Sequence, residues 1–273
     1  MPEFPSMIGG NVVRDYGSVT ATTDGTTVTA SATVDTKGDW VELVSATTFD
    51  ANWVIVQFPY NEWGGFPFLV DIGVGAAASE QVIIPDLQVY ENQAPLVDHS
   101  YLFPVFIPAG VRLAARCQEP FESSAYLDVS VQLISGGFAA PGRPMLATAY
   151  GATSGSIGTS VDAGGTAHTK GAWTEIAAAT VRDHHWLAIA ASSIDGNWAA
   201  NTRFFLDIGI GPATETVLIP NIALGGSTQS DNVVQSVFHY PVSVPAGARL
   251  SARLQSSSNN SGDRVLRVKI YGV

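Results

Sequence analysis

The sequence predicts an all-β protein made of two tandem antiparallel β-sandwich domains, and three observations predict it. The chain is written twice. Its apolar residues recur with the period of strands and not of helices, and clusters of Gly, Pro, Asn and Asp interrupt them at short intervals.

The repeat begins where Thr36-Lys37-Gly38-Asp39-Trp40-Val41-Glu42 is answered by Thr169-Lys170-Gly171-Ala172-Trp173-Thr174-Glu175. Asp50 and Trp53 then fall on Asp183 and Trp186, and Leu69-Val70-Asp71-Ile72-Gly73-Val74-Gly75 on Phe205-Leu206-Asp207-Ile208-Gly209-Ile210-Gly211. Ile83-Ile84-Pro85-Asp86-Leu87 matches Leu218-Ile219-Pro220-Asn221-Ile222. Pro108-Ala109-Gly110-Val111-Arg112-Leu113 matches Pro245-Ala246-Gly247-Ala248-Arg249-Leu250. Order and spacing are kept apart from small insertions, as in duplicated domains whose loops differ. The division expected is an N-terminal arm at 1–15, a first domain at 16–137, a Gly- and Pro-rich linker at 138–146 and a second domain at 147–273. A chain of 273 residues holds two ordinary domains comfortably.

Taken in order, the elements read as strands. Trp53-Val54-Ile55-Val56 and Gln81-Val82-Ile83-Ile84 are short apolar runs rich in β-branched residues. After each Pro-Ala-Gly turn the pattern alternates. Leu113, Ala115 and Cys117 are expected to face inward between Arg112, Ala114, Arg116 and Gln118, and Leu250, Ala252 and Leu254 between Arg249, Ser251, Arg253 and Gln255. The last strand of each copy repeats this, with Val129, Val131 and Leu133 matched to Leu266, Val268 and Ile270. Several such strands in each copy, without a long amphipathic helix, indicate a sandwich of jelly-roll type.

The combined motif, Thr-Lys-Gly-x-Trp-x-Glu, Asp-Ile-Gly-x-Gly, Ile-Pro and Pro-Ala-Gly-x-Arg-Leu-x-Ala-Arg, resembles structural proteins of tailed bacteriophages and gene transfer agents. The resemblance covers most of both copies. It implies a component of the virion surface, such as a head spike, head fibre, decoration protein or tail-tip part, some of which touch host polysaccharide. It brings no catalytic residues with it.

Composition sets bounds on partners. With 13 Lys+Arg against 24 Asp+Glu the net charge is −11, which disfavours a nucleic-acid backbone or an anionic membrane as partner. Apolar residues at 46% against 14% charged call for an extensive core or for neighbours. The single cysteine, Cys117, cannot close an intramolecular disulfide and is expected as a small apolar filler. The start lacks the basic and apolar runs of a signal peptide, so assembly in the bacterial cytoplasm without secretion, and no membrane insertion, is expected.

Candidate chemistry is sparse. Gly73-Val74-Gly75-Ala76 imitates a dinucleotide fingerprint, but an apolar strand and Pro85 follow where a helix would be needed, so a tight turn is expected. Asp183, His184 and His185 are neighbours on an extended segment, whose side chains diverge, and the histidines read as exposed loop residues. Glu42, Asp50 and Asp71, with Glu175, Asp183 and Asp207, include enough carboxylates for a hydrolytic pair, yet their duplication favours a role in the fold. Asp71 and Asp207 lie in apolar strands and need cationic partners: Arg112 or Arg116 for one, Arg249 or Arg253 for the other. Trp40, Trp53, Trp173 and Trp186 are expected as core plugs. Phe58 to Phe68 gathers Tyr60, Trp63 and Phe66 in a loop whose counterpart keeps Trp198, a candidate interface or sugar-binding surface unless the rings are buried under the loop itself.

These readings converge on a non-enzymatic homo-oligomeric virion component that contacts other capsid or tail proteins and, in some settings, host surface polysaccharide. The alternatives are a carbohydrate-binding adhesin and, after it, a polysaccharide hydrolase. No catalytic, cofactor-binding or metal-binding residue is assigned.

Overall fold

The computed structural model describes residues 12–17, 25–61, 67–90, 99–120, 124–136, 146–155, 157–192, 202–212, 214–225 and 236–273. The first unit holds β1 (Val13–Tyr16), β2 (Thr26–Thr29), β3 (Val41–Val44), β4 (Trp53–Asn61), β5 (Pro67–Val74), β6 (Gln81–Tyr90), β7 (His99–Phe103), β8 (Leu113–Gln118) and β9 (Tyr126–Ile134). The second holds β10 (Thr148–Tyr150), β11 (Thr159–Asp162), β12 (Thr174–Ala177), β13 (Leu187–Ser192), β14 (Arg203–Ile210), β15 (Thr216–Gly225), β16 (Ser236–Tyr240), β17 (Leu250–Ser256) and β18 (Val265–Gly272). Among the described residues no helix is long and apolar enough to cross a membrane.

In the first unit β2 pairs with β9, β3 with β8, β4 with β7 and β5 with β6, all antiparallel, as if one long hairpin were folded over on itself. Further pairing of β4 with β9 and of β5 with β8 splits that ribbon into two sheets, β2-β9-β4-β7 and β3-β8-β5-β6, with β1 added beside β9. This is the jelly-roll order, and β11 to β18 repeat it with β10 in the place of β1. Strand pairing starts at Val13, so Val13–Asp15 belong to the first sandwich and not to an arm. The expected linker, apart from Leu146, lies outside the described residues.

The inward sets on β8 and β17 are fully buried. The outward sets are not uniformly exposed. Ala114 and Ser251 are also fully buried, and Gln118 is nearly so. Register also corrects the match of the last strands: Thr26 pairs with Val129 and Thr159 with Val268, so Leu127, Val129 and Val131 are the true counterparts of Leu266, Val268 and Ile270. A two-residue difference in the preceding connection, invisible to a pattern with period two, hides this shift.

The four repeated tryptophans are half-buried and are not core plugs. Trp40 and Trp173 lie on the outside of their sheets, against Gly73 and Gly209, with the guanidinium groups of Arg116 and Arg253 over the rings at 4.5 Å. A β-carbon at Gly209 would sit 2.8 Å from the Trp173 ring, closer than packed carbons approach. Glycine is therefore required there by space.

Gly209→Ala is expected to displace Trp173 from beneath Arg253 and to destabilise the protein by ~1–3 kcal/mol, the usual range for forced overpacking. Urea unfolding followed by tryptophan fluorescence measures this, and an unchanged midpoint would refute the packing described.

Candidate functional site

The repeated motif assembles into one outer-face cluster per domain. In the first, Lys37 Nζ donates to Asp71 Oδ1 at 2.8 Å and to the Leu69 carbonyl at 3.0 Å, and Arg116 Nε donates to Asp71 Oδ2 at 2.9 Å. The backbone N–H of Asp86, held at a left-handed φ of 50°, also reaches Asp71 Oδ1 at 2.9 Å. In the second domain Lys170, Arg253 and the N–H of Asn221 hold Asp207 in the same way. Burial pushes the Asp207 carboxyl upward, but these donors outweigh it and hold the acid below its ordinary range.

Of the arginines considered for these aspartates, Arg116 and Arg253 are the ones that reach them. Arg112 bridges Glu42 and Glu80 instead, and Arg249 bridges Glu175 and Glu215. The lysines Lys37 and Lys170 are partners that sequence reasoning missed, although they stand inside the repeated motif. Asp50 and Asp183 accept the N–H groups of Ala109 and Ala246, each at 2.7 Å, and so fix the two Pro-Ala-Gly turns. Every carboxylate of the proposed hydrolytic set is thus bound to a structural partner, in both copies.

The histidine pair separates. His184 is fully buried, its ring packed against Gly272 and hydrogen-bonded to Tyr150 at 2.7 Å, while His185 is exposed. Only His185 sits as an exposed loop residue. His184 is drawn inward because its backbone bridges Val244, and burial pushes its pKa down to about 4. Cys117 is buried beside Val28, and burial pushes its thiol up to about 12. Among the described residues no group of three His, Cys, Asp or Glu side chains is placed to hold a metal ion. Trp63, Phe66 and Trp198 lie outside the described residues, and of Tyr60 only the backbone, near the end of β4, is described.

The most extensive feature outside the repeats is the seam between the domains. The first sandwich is open along its β6 and β7 edges, and the outer face of the second domain's β10-β18-β13-β16 sheet closes it. Ala188, Ala190 and Tyr271 of that face belong to the first domain's apolar core. The small side chains on β13 let the sheets approach; the corresponding residues on β4 are Ile55 and Gln57.

Tyr271 enters as a plug. Its ring meets Tyr101 and Phe103 edge-on at 5.5 and 5.9 Å, its oxygen accepts the Gln88 N–H at 2.7 Å, and its hydroxyl donates to the Asp86 carbonyl at 2.9 Å. Trp53 and Trp186 also meet here, at 5.6 Å. Ala147 N–H donates to the Ile83 carbonyl at 2.7 Å, Gln118 to the Thr153 carbonyl at 2.9 Å, and Asp35 accepts the Gly155 N–H.

One charge is enclosed with them. Lys269 has no exposed surface and stands near Asp86, Lys37 and Asp71. Burial pushes its pKa down to about 8, against the pull of Asp86. Asp86 is driven upward by burial, yet Lys37 at 2.9 Å and Lys269 outweigh this and leave it below the ordinary carboxylate range.

No protein-family model matches the chain, and no curated protein sequence does. Among solved structures it is similar to the N-terminal CBM22-1-CBM22-2 tandem domain of Xyn10C from Paenibacillus barcinonensis, with 12% identity over 97% of this chain and 92% of that one, at a TM-score of 0.26. The insecticidal delta-endotoxin Cry8Ea1 from Bacillus thuringiensis gives 10% identity, 84% and 54% coverage and a TM-score of 0.25. A structure of infectious bursal disease virus, Gx strain, gives 9% identity, 96% and 71% coverage and a TM-score of 0.22. At TM-scores this low the likenesses carry no argument about function.

Tyr271→Phe leaves the buried Gln88 N–H without its acceptor and is expected to cost ~1–3 kcal/mol, read from the urea midpoint. Tyr271→Ala is expected to split a single unfolding transition into two as the cores separate. For Lys269 the folded pKa lies below the unfolded one. Between about 8 and the ordinary 10.5 the unfolded chain therefore keeps a proton that the folded chain has released. Stability then rises with pH through that window by up to ~3 kcal/mol. Urea midpoints at pH 7.5 and 9.5 are expected to show this rise relative to Lys269→Met; parallel behaviour of the two proteins would refute it.

Proposed function

We propose that the chain is a non-enzymatic structural component on the surface of a phage-like particle, in the class of head spikes, head fibres and decoration proteins, assembled in the bacterial cytoplasm. The observation that carries this reading is the seam: the second jelly roll lends Tyr271, Ala188 and Ala190 to the core of the first, so the two pack as one body. A rigid double sandwich suits a building block better than it suits two modules that search for ligands independently. The commitment of Glu42, Asp50, Asp71 and their counterparts to structural partners, and the resemblance of the repeated motif to virion proteins, support the same reading.

The test is fractionation of particles released by the producing bacterium on a density gradient, probed with an antibody to the chain. Signal that sediments with nuclease-protected DNA, and gold labelling on the particle exterior, is expected. A chain found only as free protein at the top of the gradient overturns the proposal.

A carbohydrate-binding adhesin is the second reading, favoured by the aromatic run from Phe58 to Phe68. A glycan array tests it. Binding that disappears in Trp63→Ala while the unfolding midpoint holds supports this reading, and no binding to any bacterial surface glycan removes it.

A further inference from the structure

The seam has two halves, and duplication has placed a second copy of each half on the outside of the molecule. On the first domain the seam uses the β6 and β7 edges, where Ile83, Gln88, Tyr90, Tyr101 and Phe103 are buried, and the adjoining outer face of β5 at Leu69. Ile157 of the second domain packs on Leu69 and Tyr90. On the second domain the seam uses the outer sheet face that starts at β10, with Leu146 and Ala147 leading into Ala188, Ala190 and Tyr271.

Strand pairing identifies the duplicates. On the β14–β15 face Phe205 stands where Leu69 does, Val217 where Val82 does, and Ala223 where Gln88 does. On the first domain, Tyr16 and Tyr150 occupy matching places beside the last strands, so Val12 and Val13 stand where Leu146 and Ala147 do. The exposures are reversed. Leu69 is 1% exposed and Phe205 40%; Ala147 is 6% exposed and Val13 58%. Six large apolar side chains among the described residues are exposed, and three of them, Val12, Val13 and Phe205, stand at the duplicates of seam residues. Scattered surface apolar residues need no explanation, but this concentration at the duplicates of a working interface does.

We infer that the β14–β15 face of one copy of this chain docks on the outer β1-β9-β4 face of a second copy, repeating between molecules the contact made inside each one. The inference rests on reading the chain as an assembly subunit and deepens it by naming the partner and the faces. The contact joins unlike surfaces, so it propagates head to tail, into a ring where the rotation closes and a filament where it does not. It is weaker than the seam. Gln132 replaces the Tyr271 plug, and Ile55 and Gln57 replace the two alanines, so association is reversible and depends on concentration.

Light scattering and sedimentation velocity on the full chain test it with two variants, Val13→Asp and Phe205→Asp. Both sites are exposed in the single chain, so the unfolding midpoint is expected to hold. Wild type is expected to grow in mass with concentration, and each variant to weaken association ~100-fold by placing a carboxylate in the contact. Mixing the variants pairs the intact β14–β15 face of Val13→Asp with the intact β1 face of Phe205→Asp. A mixture that reaches twice the monomer mass and stops there supports the proposal. Wild type that stays monomeric, variants that assemble as wild type does, or a mixture that stays monomeric or passes the dimer overturns it. If the monomer assembles only after residues 1–11 are removed, those residues are the occupant, and the proposal also fails. A subunit held on its particle by other proteins alone would keep the gradient result while failing here, which separates the two readings.

Discussion

The carboxylate of Asp71, and of Asp207 in the second copy, is the interaction around which each sandwich is arranged. It sits on β5 in the outer face of a sheet, and a charge there is tolerable only with several donors. The donors come from three other segments: the lysine loop before β3, the arginine on β8, and Asp86, the left-handed residue at the bulge of β6. Because the arginine is fixed, its guanidinium covers Trp40; because Trp40 is fixed, the strand beneath it must carry Gly73. The scattered letters of the repeated motif are thus one physical unit, and losing any letter leaves another without its partner.

The two clusters are alike, but their settings differ. Around Asp207 the outer face meets solvent, whereas beside Asp71 the second domain encloses Lys269 next to Asp86. The enclosed ammonium contributes no net stability, since its desolvation outweighs the attraction to Asp86 and holds its pKa below the ordinary value. What it contributes is specificity of docking. A misplaced second domain would bury the same cation away from Asp86, so the correct seating is favoured over neighbouring ones by the cost of the wrong ones.

Much of this fold was legible because its determinants are local. Alternation on β8 and β17, the Pro-Ala-Gly turns and the duplicated motif each report residues a few positions apart, or the same residues seen twice. The seam was not legible. Alternation says which side of the sheet Lys269 and Tyr271 face, and that side is ordinarily wet; only tertiary structure says that another domain covers it. The place of Trp40 and Trp173 is hidden for a related reason. A tryptophan kept in both copies can fill a core or seal an outer face, and its glycine and arginine partners are distant in sequence. His184 turned inward because a single backbone bridge to Val244 moves it from loop to core. A signal for the seam did exist in the differences between the copies: Ala188 and Ala190 where the first copy has Ile55 and Gln57, and Gln88 and Tyr90 where the second has Ala223 and Gly225. Copies that share a fold diverge where their neighbours differ.

That divergence also explains why a duplicated chain lends itself to assembly. A single jelly roll that docks its β5–β6 face on the outer sheet of an identical neighbour must use one sequence for every contact, so tightening the contact tightens all of them together. Duplication separates the contacts. The inner one carries Tyr271, two alanines and an enclosed lysine, and is fixed at synthesis by covalent connection, which removes most of the entropic cost of association. In the proposed assembly the outer one keeps Val13 and Phe205 without the plug, a contact weak enough to form and dissolve while subunits find their places. Errors at the outer contact can then be corrected during assembly, because a weak contact dissociates before its neighbours lock it in. On that proposal, strength inside the chain and reversibility between chains follow from the same fold carrying two different sets of residues at one geometric position.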